Sequence, residues 1–270
     1  MRNFRIYINR RIAKFIKFLE DKNFQLNRKY SYTPDNDHSY ARGATLVRDI
    51  LNFRPEIIDC IHVRTKGFEE QYHQEAIAKA EELGIPIIYY DQDYLPMDLF
   101  GKYSVIAEIT KWEDRIEPGN HLVFVNPAGA GNVGPILRSA LALGIHDAAI
   151  ISDQIDPFTP KIIRSSMGAR LLMRVEVIET FEEYMERFPE NHRYAFMLRE
   201  DAKRLQDVVP EEPWSLIVGN ETKGLPEEYM DLCQGVFIEQ SDEVDSFNVT
   251  VAAALGLYSF KMKTEEGKKQ

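Results

Sequence analysis

Apolar residues fall in short clusters whose spacing switches repeatedly between that of a helix and that of a buried strand. From Tyr40 the stretch YARGATLVRDILN places Ala44, Val47, Ile50 and Leu51 at helical spacing, with Pro55 after its end. A strand is predicted from Ile57 (IIDCIHV), a helix from Gln71 to Leu83 stopped by Gly84, and strands from Ile85 (IPIIYY) and Tyr103 (YSVIAEI). The polar run from Lys111 to Asn120, with Pro118-Gly119, reads as a linker. Beyond it, strands are predicted at His121, Ala148, Leu172, Arg193, Trp214 and Val236. A Gly-rich turn and a helix from Pro135 to Leu143 follow the first, and a last helix starts near Ser246. Strands alternating with helices predict an α/β protein with a mostly parallel sheet. The expected division is a basic arm over 1–39, a small α/β unit over 40–112 and a larger one over 120–270.

Composition narrows the class. The 270 residues are 44% hydrophobic and 28% charged, ordinary for a globular chain. No apolar run is long enough to span a bilayer. Cys60 and Cys233 are the two cysteines, too few for a disulfide scaffold or a Cys-based zinc cluster. They suit a reducing compartment, and the cytoplasm is the expected location. The six histidines show no metal-ligand spacing, so no metal is expected.

Charge is uneven. Residues 1–30 hold nine Lys or Arg against Glu20 and Asp21, while the remainder carries 24 basic and 41 acidic residues. A basic arm of this kind pairs with phosphates in a salt-sensitive way, or docks as an amphipathic helix through Ile8, Ile12, Phe15, Ile16 and Leu19. Its Arg content also fits mitochondrial import, the alternative location.

Gly129 to Gly134 reads G-x-G-x-x-G after a strand and before a helix, with Asp153 about 20 residues on, the pattern of a dinucleotide site. Asn126-Pro127-Ala128 separates the strand from the first glycine. Arg138 stands where a dinucleotide site needs a small residue. Both features weigh against nicotinamide binding.

Three ordered blocks say more: GNVGPILRSALALG from Gly131, LIVGNETKGLP from Leu216 and IEQSDEVDSFNVTVAAAL from Ile238, with RSSMGA from Arg164 between the first two. Over about residues 120–265 the chain resembles the SpoU/TrmH family of RNA ribose 2′-O-methyltransferases, in the SPOUT superfamily. The family's blocks run N-x-G-x-x-x-R, G-x-E-x-x-G and S-L-N-V-S. The resemblance implies a deep trefoil knot, otherwise essentially absent from proteins, and S-adenosylmethionine as cofactor. Gly219, Asn220, Gly224, Ile238 and Phe247 would form the cofactor site, with Phe247 in place of the usual leucine. Arg138, Asn132, Glu221, Ser246 and Asn248 would form the catalytic set. Arg138 would grip a phosphate and polarise the 2′-hydroxyl, since a guanidinium is a poor base. Asn132 would orient Arg138 or cap its helix, and Glu221 would hold Arg138 or a backbone donor. Thr250 replaces the family's last serine and keeps a hydroxyl.

The resemblance also implies a homodimer through the knotted domain. It further implies that the first unit is a ribosomal-protein-like RNA-binding domain, in which Arg42, Arg48, Arg54, Arg64 and Lys66 would meet phosphates of rRNA or, as second choice, tRNA. The chain departs from the family in reading Asn126-PAGAGN for D-P-G-N, and in carrying Glu239, Gln240 and Asp242 where Pro, Met and Gly are usual. These departures keep open an alternative, a catalytically weak RNA-binding or ribosome-assembly factor that retains the fold.

Overall fold

A computed structural model describes residues 30–65, 71–90, 96–152 and 154–268. The first 29 residues of the basic arm, Lys66 and Asp153 lie outside the described residues. The chain divides into two compact units at Lys111/Trp112.

In the first unit, strands β1 (His38–Arg42), β2 (Ile58–Arg64), β3 (Ile87–Tyr90) and β4 (Val105–Thr110) form a sheet in the order β1-β4-β2-β3. β4 runs antiparallel to both neighbours, and β2 and β3 are parallel. Helices α1 (Ala44–Phe53), α2 (Gln71–Glu82) and the single turn α3 (Met97–Phe100) connect them. Two expectations need correction. Tyr40 does not open a helix: Tyr40 and Ala41 pair with Glu108 and Ala107 of β4, and α1 begins only after Gly43, whose φ of 113° breaks the strand. The last ten residues of the expected arm also belong to the unit. Tyr30 is buried, its N–H donates to Asp98 Oδ2 at 2.6 Å, and its hydroxyl lies 3.0 Å from that of Tyr90.

The second unit is a seven-stranded sheet, β7-β6-β5-β10-β8-β11-β9, with all six pairings parallel. Its strands are β5 (His121–Val125), β6 (Asp147–Ile151), β7 (Arg174–Ile178), β8 (His192–Phe196), β9 (Lys203–Arg204), β10 (Trp214–Val218) and β11 (Gln234–Phe237). β5, β6 and β10 are buried at every position, as strands covered on both faces must be. Helices α4 (Ala130–Ala142), α5 (Pro160–Ser165), α6 (Phe181–Arg187), α7 (Tyr229–Leu232) and α8 (Val249–Gly267) complete the unit. One core cluster gathers Leu122, Phe124, Ile136, Leu137, Trp214, Leu257 and Phe260; the opposite one gathers Val123, Ile217, Phe181 and Tyr184. Among the described residues no helix is long and apolar enough to cross a membrane.

The polar run read as a linker is strapped onto this unit. Asp114 pairs with the fully buried Arg170 at 2.8 Å, and the Trp112 ring meets Phe158 edge-on. Ile116 N–H donates to Glu176, and Glu117 N–H to Asp147. The helix expected from Pro135 starts a turn earlier, at Ala130. Gly134 explains the last glycine of the G-x-G-x-x-G pattern. A Cβ there would lie 1.9 Å from Ser165 Oγ and 2.8 Å from Ser166 N, so α4 and α5 touch through it.

A buried polar chain fixes one face of the sheet. Asn191 Nδ2 donates to Ser215 Oγ (3.0 Å), which lies 2.6 Å from Tyr184 Oη; Tyr184 Oη lies 2.8 Å from His121 Nδ1, and His121 Nε2 lies 2.7 Å from the Glu117 carbonyl. A single direction of donation satisfies every member if His121 is neutral with its proton on Nε2. Burial lowers the His121 pKa from its ordinary 6.5. Below about pH 6.5 the unfolded chain therefore takes up a proton that the folded chain refuses. Stability is expected to be full above that pH and to fall as pH drops toward the depressed folded value, with a slope of at most about 1.4 kcal/mol per pH unit. Thermal melts between pH 8 and 5 check this. His121→Gln, whose amide can replace both bonds, should lose that part of the slope.

Candidate active site

A cavity of about 570 Å³ opens at the C-terminal ends of β8, β10 and β11, where parallel sheets of this kind bind ligands. Its walls are Phe196 to Arg199 after β8, Val218 to Leu225 after β10, Val236 to Ile238 with Gln240 after β11, and Asp245 to Phe247 with Val249 and Ala252 before and within α8. Gly219, Asn220, Gly224, Ile238 and Phe247 all line it.

The wall after β10 is a tight loop. Asn220 and Gly224 bridge each other, with Asn220 N to Gly224 O at 3.2 Å and Gly224 N to Asn220 O at 2.9 Å. Gly224 has φ +68°, in the left-handed region. A Cβ on Gly219 would lie 2.5 Å from the carbonyl carbon of Gly224. The Asn220 side chain organises the loop: its Oδ1 accepts from Thr222 N and Lys223 N, both at 3.0 Å, and its Nδ2 donates to the Asn126 carbonyl at 2.9 Å. Its side chain is therefore already engaged with backbone. Asn126 itself has φ 46°, which asparagine tolerates.

Beside the cavity the three blocks meet. Glu221 Oε2 accepts from Ala128 N at 2.6 Å and Oε1 from Asn132 Nδ2 at 2.9 Å. Thr250 Oγ1 lies 3.4 Å from Asn132 Oδ1. Residues 89 and 118 positions apart in sequence thus converge on one amide. Glu221 holds a backbone donor, the second of the two options read from the sequence. It does not hold Arg138.

Asn132 neither caps α4, whose N-cap is Gly129, nor bonds Arg138. Six residues separate the two, which puts them about 120° apart around the helix. Arg138 is exposed and, among the described residues, has no hydrogen bond or ion pair. Asn248 is the N-cap of α8, its Oδ1 accepting from Thr250 N at 2.9 Å. The helix starts at Val249, so Ser246 lies outside it, exposed on the cavity wall.

Sequence reasoning missed the β8 side of the cavity, Leu198 and Arg199. One signal was available, an apolar residue extending past a strand end: Leu198 is 56% exposed.

The basic residues of the first unit divide. Arg48 is held by Asp49 at 2.7 Å and Glu75 at 3.4 Å and lies over the Tyr72 ring, and the Asp49 bond raises its pKa further. Arg54 pairs with Glu56. Neither presents an uncommitted charge, contrary to expectation, because the adjacent carboxylates compete for it. Arg42 donates to the Asp98 carbonyl at 3.0 Å, and Arg64 ends β2 half-buried.

The model of the SpoU rRNA methylase family matches residues 119–258, just over half of the chain and the whole of the site just described. The chain belongs to this family. A 23S rRNA (uridine(2479)-2′-O)-methyltransferase of Streptomyces viridochromogenes is 32% identical over 145 residues, 51% of this chain and 50% of that protein. An uncharacterised tRNA/rRNA methyltransferase of Synechocystis is 29% identical over 161 residues, 57% and 59%. The chain therefore spans only about half the length of these relatives. Among solved structures, the SpoU methyltransferase AviRb from Streptomyces viridochromogenes in complex with AdoMet superposes with a TM-score of 0.76 at 20% identity, covering 92% of this chain and 100% of that one. This SpoU-family chain and AviRb thus share a fold.

Proposed function

We propose that this SpoU-family chain is an S-adenosylmethionine-dependent RNA methyltransferase acting on a ribose 2′-hydroxyl of structured RNA in the cytoplasm. The observation that carries the reading is that Glu221 belongs both to the cavity wall and to the cluster joining Asn132 and Thr250. Ribosomal RNA is favoured over tRNA by the Streptomyces relative, whose activity is on 23S rRNA.

The cavity suits the cofactor. Its volume of about 570 Å³ falls within the usual range for small-molecule sites. Leu198, Ile238 and Phe247 offer apolar surface for a purine, while Lys223 and Asp245 offer both charges to a zwitterionic amino-acid tail; Arg199 is paired with Asp201 and Glu227. When bound, S-adenosylmethionine supplies an electrophilic methyl group on a cationic sulfur. Arg138, uncommitted and exposed, grips a phosphate of the target nucleotide and polarises the hydroxyl; Ser246 offers a second polar group from the cavity wall. Glu221, Asn132 and Thr250 hold the blocks in register, so their part is positioning.

The insertion of β10 between β5 and β8, with α8 packed back on α4 and β10, supports a knotted chain path. Val251, Leu255 and Tyr258 expose apolar surface at helical spacing on α8, which supports a homodimer through this domain. In the first unit, Arg42, which also donates to the Asp98 carbonyl, and the basic segment over 1–29 would meet RNA phosphates.

Calorimetric titration with S-adenosylmethionine, S-adenosylhomocysteine and NADH, followed by methyl transfer to rRNA, tests the reading. The first two ligands should bind and NADH should not. Arg138→Ala should lower kcat/KM by roughly ten- to a hundredfold, the worth of a charged hydrogen bond, with cofactor binding and Tm unchanged. RNA binding without turnover would favour the assembly-factor reading instead, and NADH binding alone would overturn the proposal.

A further inference from the structure

In the first unit, three side chains of different chemistry meet on one face of the sheet. Cys60 and Glu108 are directly opposed across the β2–β4 ladder, and His62 follows Cys60 by two residues on the same face. The ladder shifts register between Ile58 and Cys60, and the shift brings Cys60 opposite Glu108. Cys60 Sγ lies 3.5 Å from His62 Nε2, and Glu108 Oε2 lies 3.1 Å from the same nitrogen. All three atoms are within 4.8 Å of one another.

The two separations from His62 Nε2, 3.5 Å to sulfur and 3.1 Å to oxygen, are close to two edges of a metal-coordination tetrahedron. With zinc about 2.3 Å from sulfur and about 2.0–2.1 Å from nitrogen or oxygen, tetrahedral angles separate sulfur from nitrogen by about 3.5 Å and nitrogen from oxygen by about 3.3 Å. The other ring nitrogen, His62 Nδ1, is 3.0 Å from Tyr90 Oη, which in turn is 3.0 Å from Tyr30 Oη. A hydroxyl partner on the second nitrogen is the support that fixes a metal-binding imidazole. A nucleophilic relay would place the thiol and the carboxylate on opposite ring nitrogens. Here both face Nε2.

We infer that Cys60, His62 and Glu108 form a divalent metal site that takes Zn²⁺, a thiolate–imidazole–carboxylate set with a fourth position left for water or another donor. This revises the expectation of no metal, which rested on histidine spacing alone. His62 is fully buried, Glu108 nearly so, and Cys60 half-buried. The metal joins β2 to β4 and so stabilises the first unit.

The test titrates the full chain, stripped of metal by a chelator that is then removed, with Co²⁺ and then Zn²⁺. One equivalent of Co²⁺ should produce the sulfur-to-cobalt charge-transfer band and the intense visible bands of a four-coordinate ion, and Zn²⁺ should bleach both. Cys60→Ser should abolish the charge-transfer band, and Cys233→Ser should leave it. Tyr90→Phe should keep the band and weaken affinity by about tenfold or more. Glu108→Gln, which preserves volume and a hydrogen bond to His62, should also weaken binding at least tenfold with the circular dichroism unchanged. No cobalt band in folded wild-type chain, or a band that survives Cys60→Ser, would overturn the inference.

Discussion

Gly219→Ala is expected to reduce S-adenosylmethionine affinity by a hundredfold or more. The added Cβ would lie 2.5 Å from the carbonyl carbon of Gly224, 2.7 Å from its oxygen and 2.7 Å from Leu225 N. All three are backbone atoms, so no side chain can swing away. Relief requires opening the Asn220–Gly224 bridge that closes the loop. Overpacking of this kind costs about 3 kcal/mol, which is roughly a hundredfold if it falls on the binding-competent loop. The sheet itself is untouched, so Tm should fall by only a few degrees. Gly224→Ala separates sterics from strain. Its Cβ would meet nothing within 4 Å, and its cost is that of a left-handed φ of +68°, about 1 kcal/mol. Calorimetry with S-adenosylmethionine on both variants measures the contrast. Wild-type affinity in Gly219→Ala would remove this loop from the cofactor site.

The sequence made some of this legible and hid the rest for identifiable reasons. Gly219, Gly224, Ile238 and Phe247 were named through the resemblance of the ordered blocks, carried over by position, and all four line the cavity. The parallel sheet was readable from uniformly apolar runs such as those at His121 and Trp214. Tyr40 was misassigned because a strand of five residues ending at Gly43 runs straight into the apolar spacing of α1. Trp112 and Asp114 looked like linker because their partners, Phe158 and Arg170, are some 50 residues away. The expected Asn132–Arg138 contact failed on helix geometry, and the charges of Arg48 and Arg54 failed on local competition. Cys60, His62 and Glu108 gave no signal at all. Their meeting depends on a cross-strand register and a shift in it, which one sequence does not display.

Glu221→Ala is expected to lower methyl transfer by about a hundredfold through a different route from Arg138→Ala. The carboxylate accepts two hydrogen bonds that join the loop after β5 and the first turn of α4 to the loop after β10, from Ala128 N and Asn132 Nδ2. Its removal leaves both donors without that acceptor. For this half-buried group the two losses together come to about 3 kcal/mol, since bonds to a charged acceptor are worth about 1.5–3 kcal/mol each and partial exposure reduces them. Asn132 then loses the anchor that places it beside Thr250, so the three blocks drift apart while each loop stays folded. Activity and affinity should therefore fall together. In Arg138→Ala, by contrast, methyl transfer falls with cofactor affinity unchanged, because that side chain makes no hydrogen bond or ion pair with another described residue. Glu221→Gln discriminates further. Its amide oxygen can keep one of the two bonds but not both, so an intermediate loss of roughly tenfold is expected. Parallel measurement of kcat, KM and S-adenosylmethionine affinity in the three variants decides the matter. An unchanged cofactor affinity in Glu221→Ala would mean that the cavity wall is held without this carboxylate.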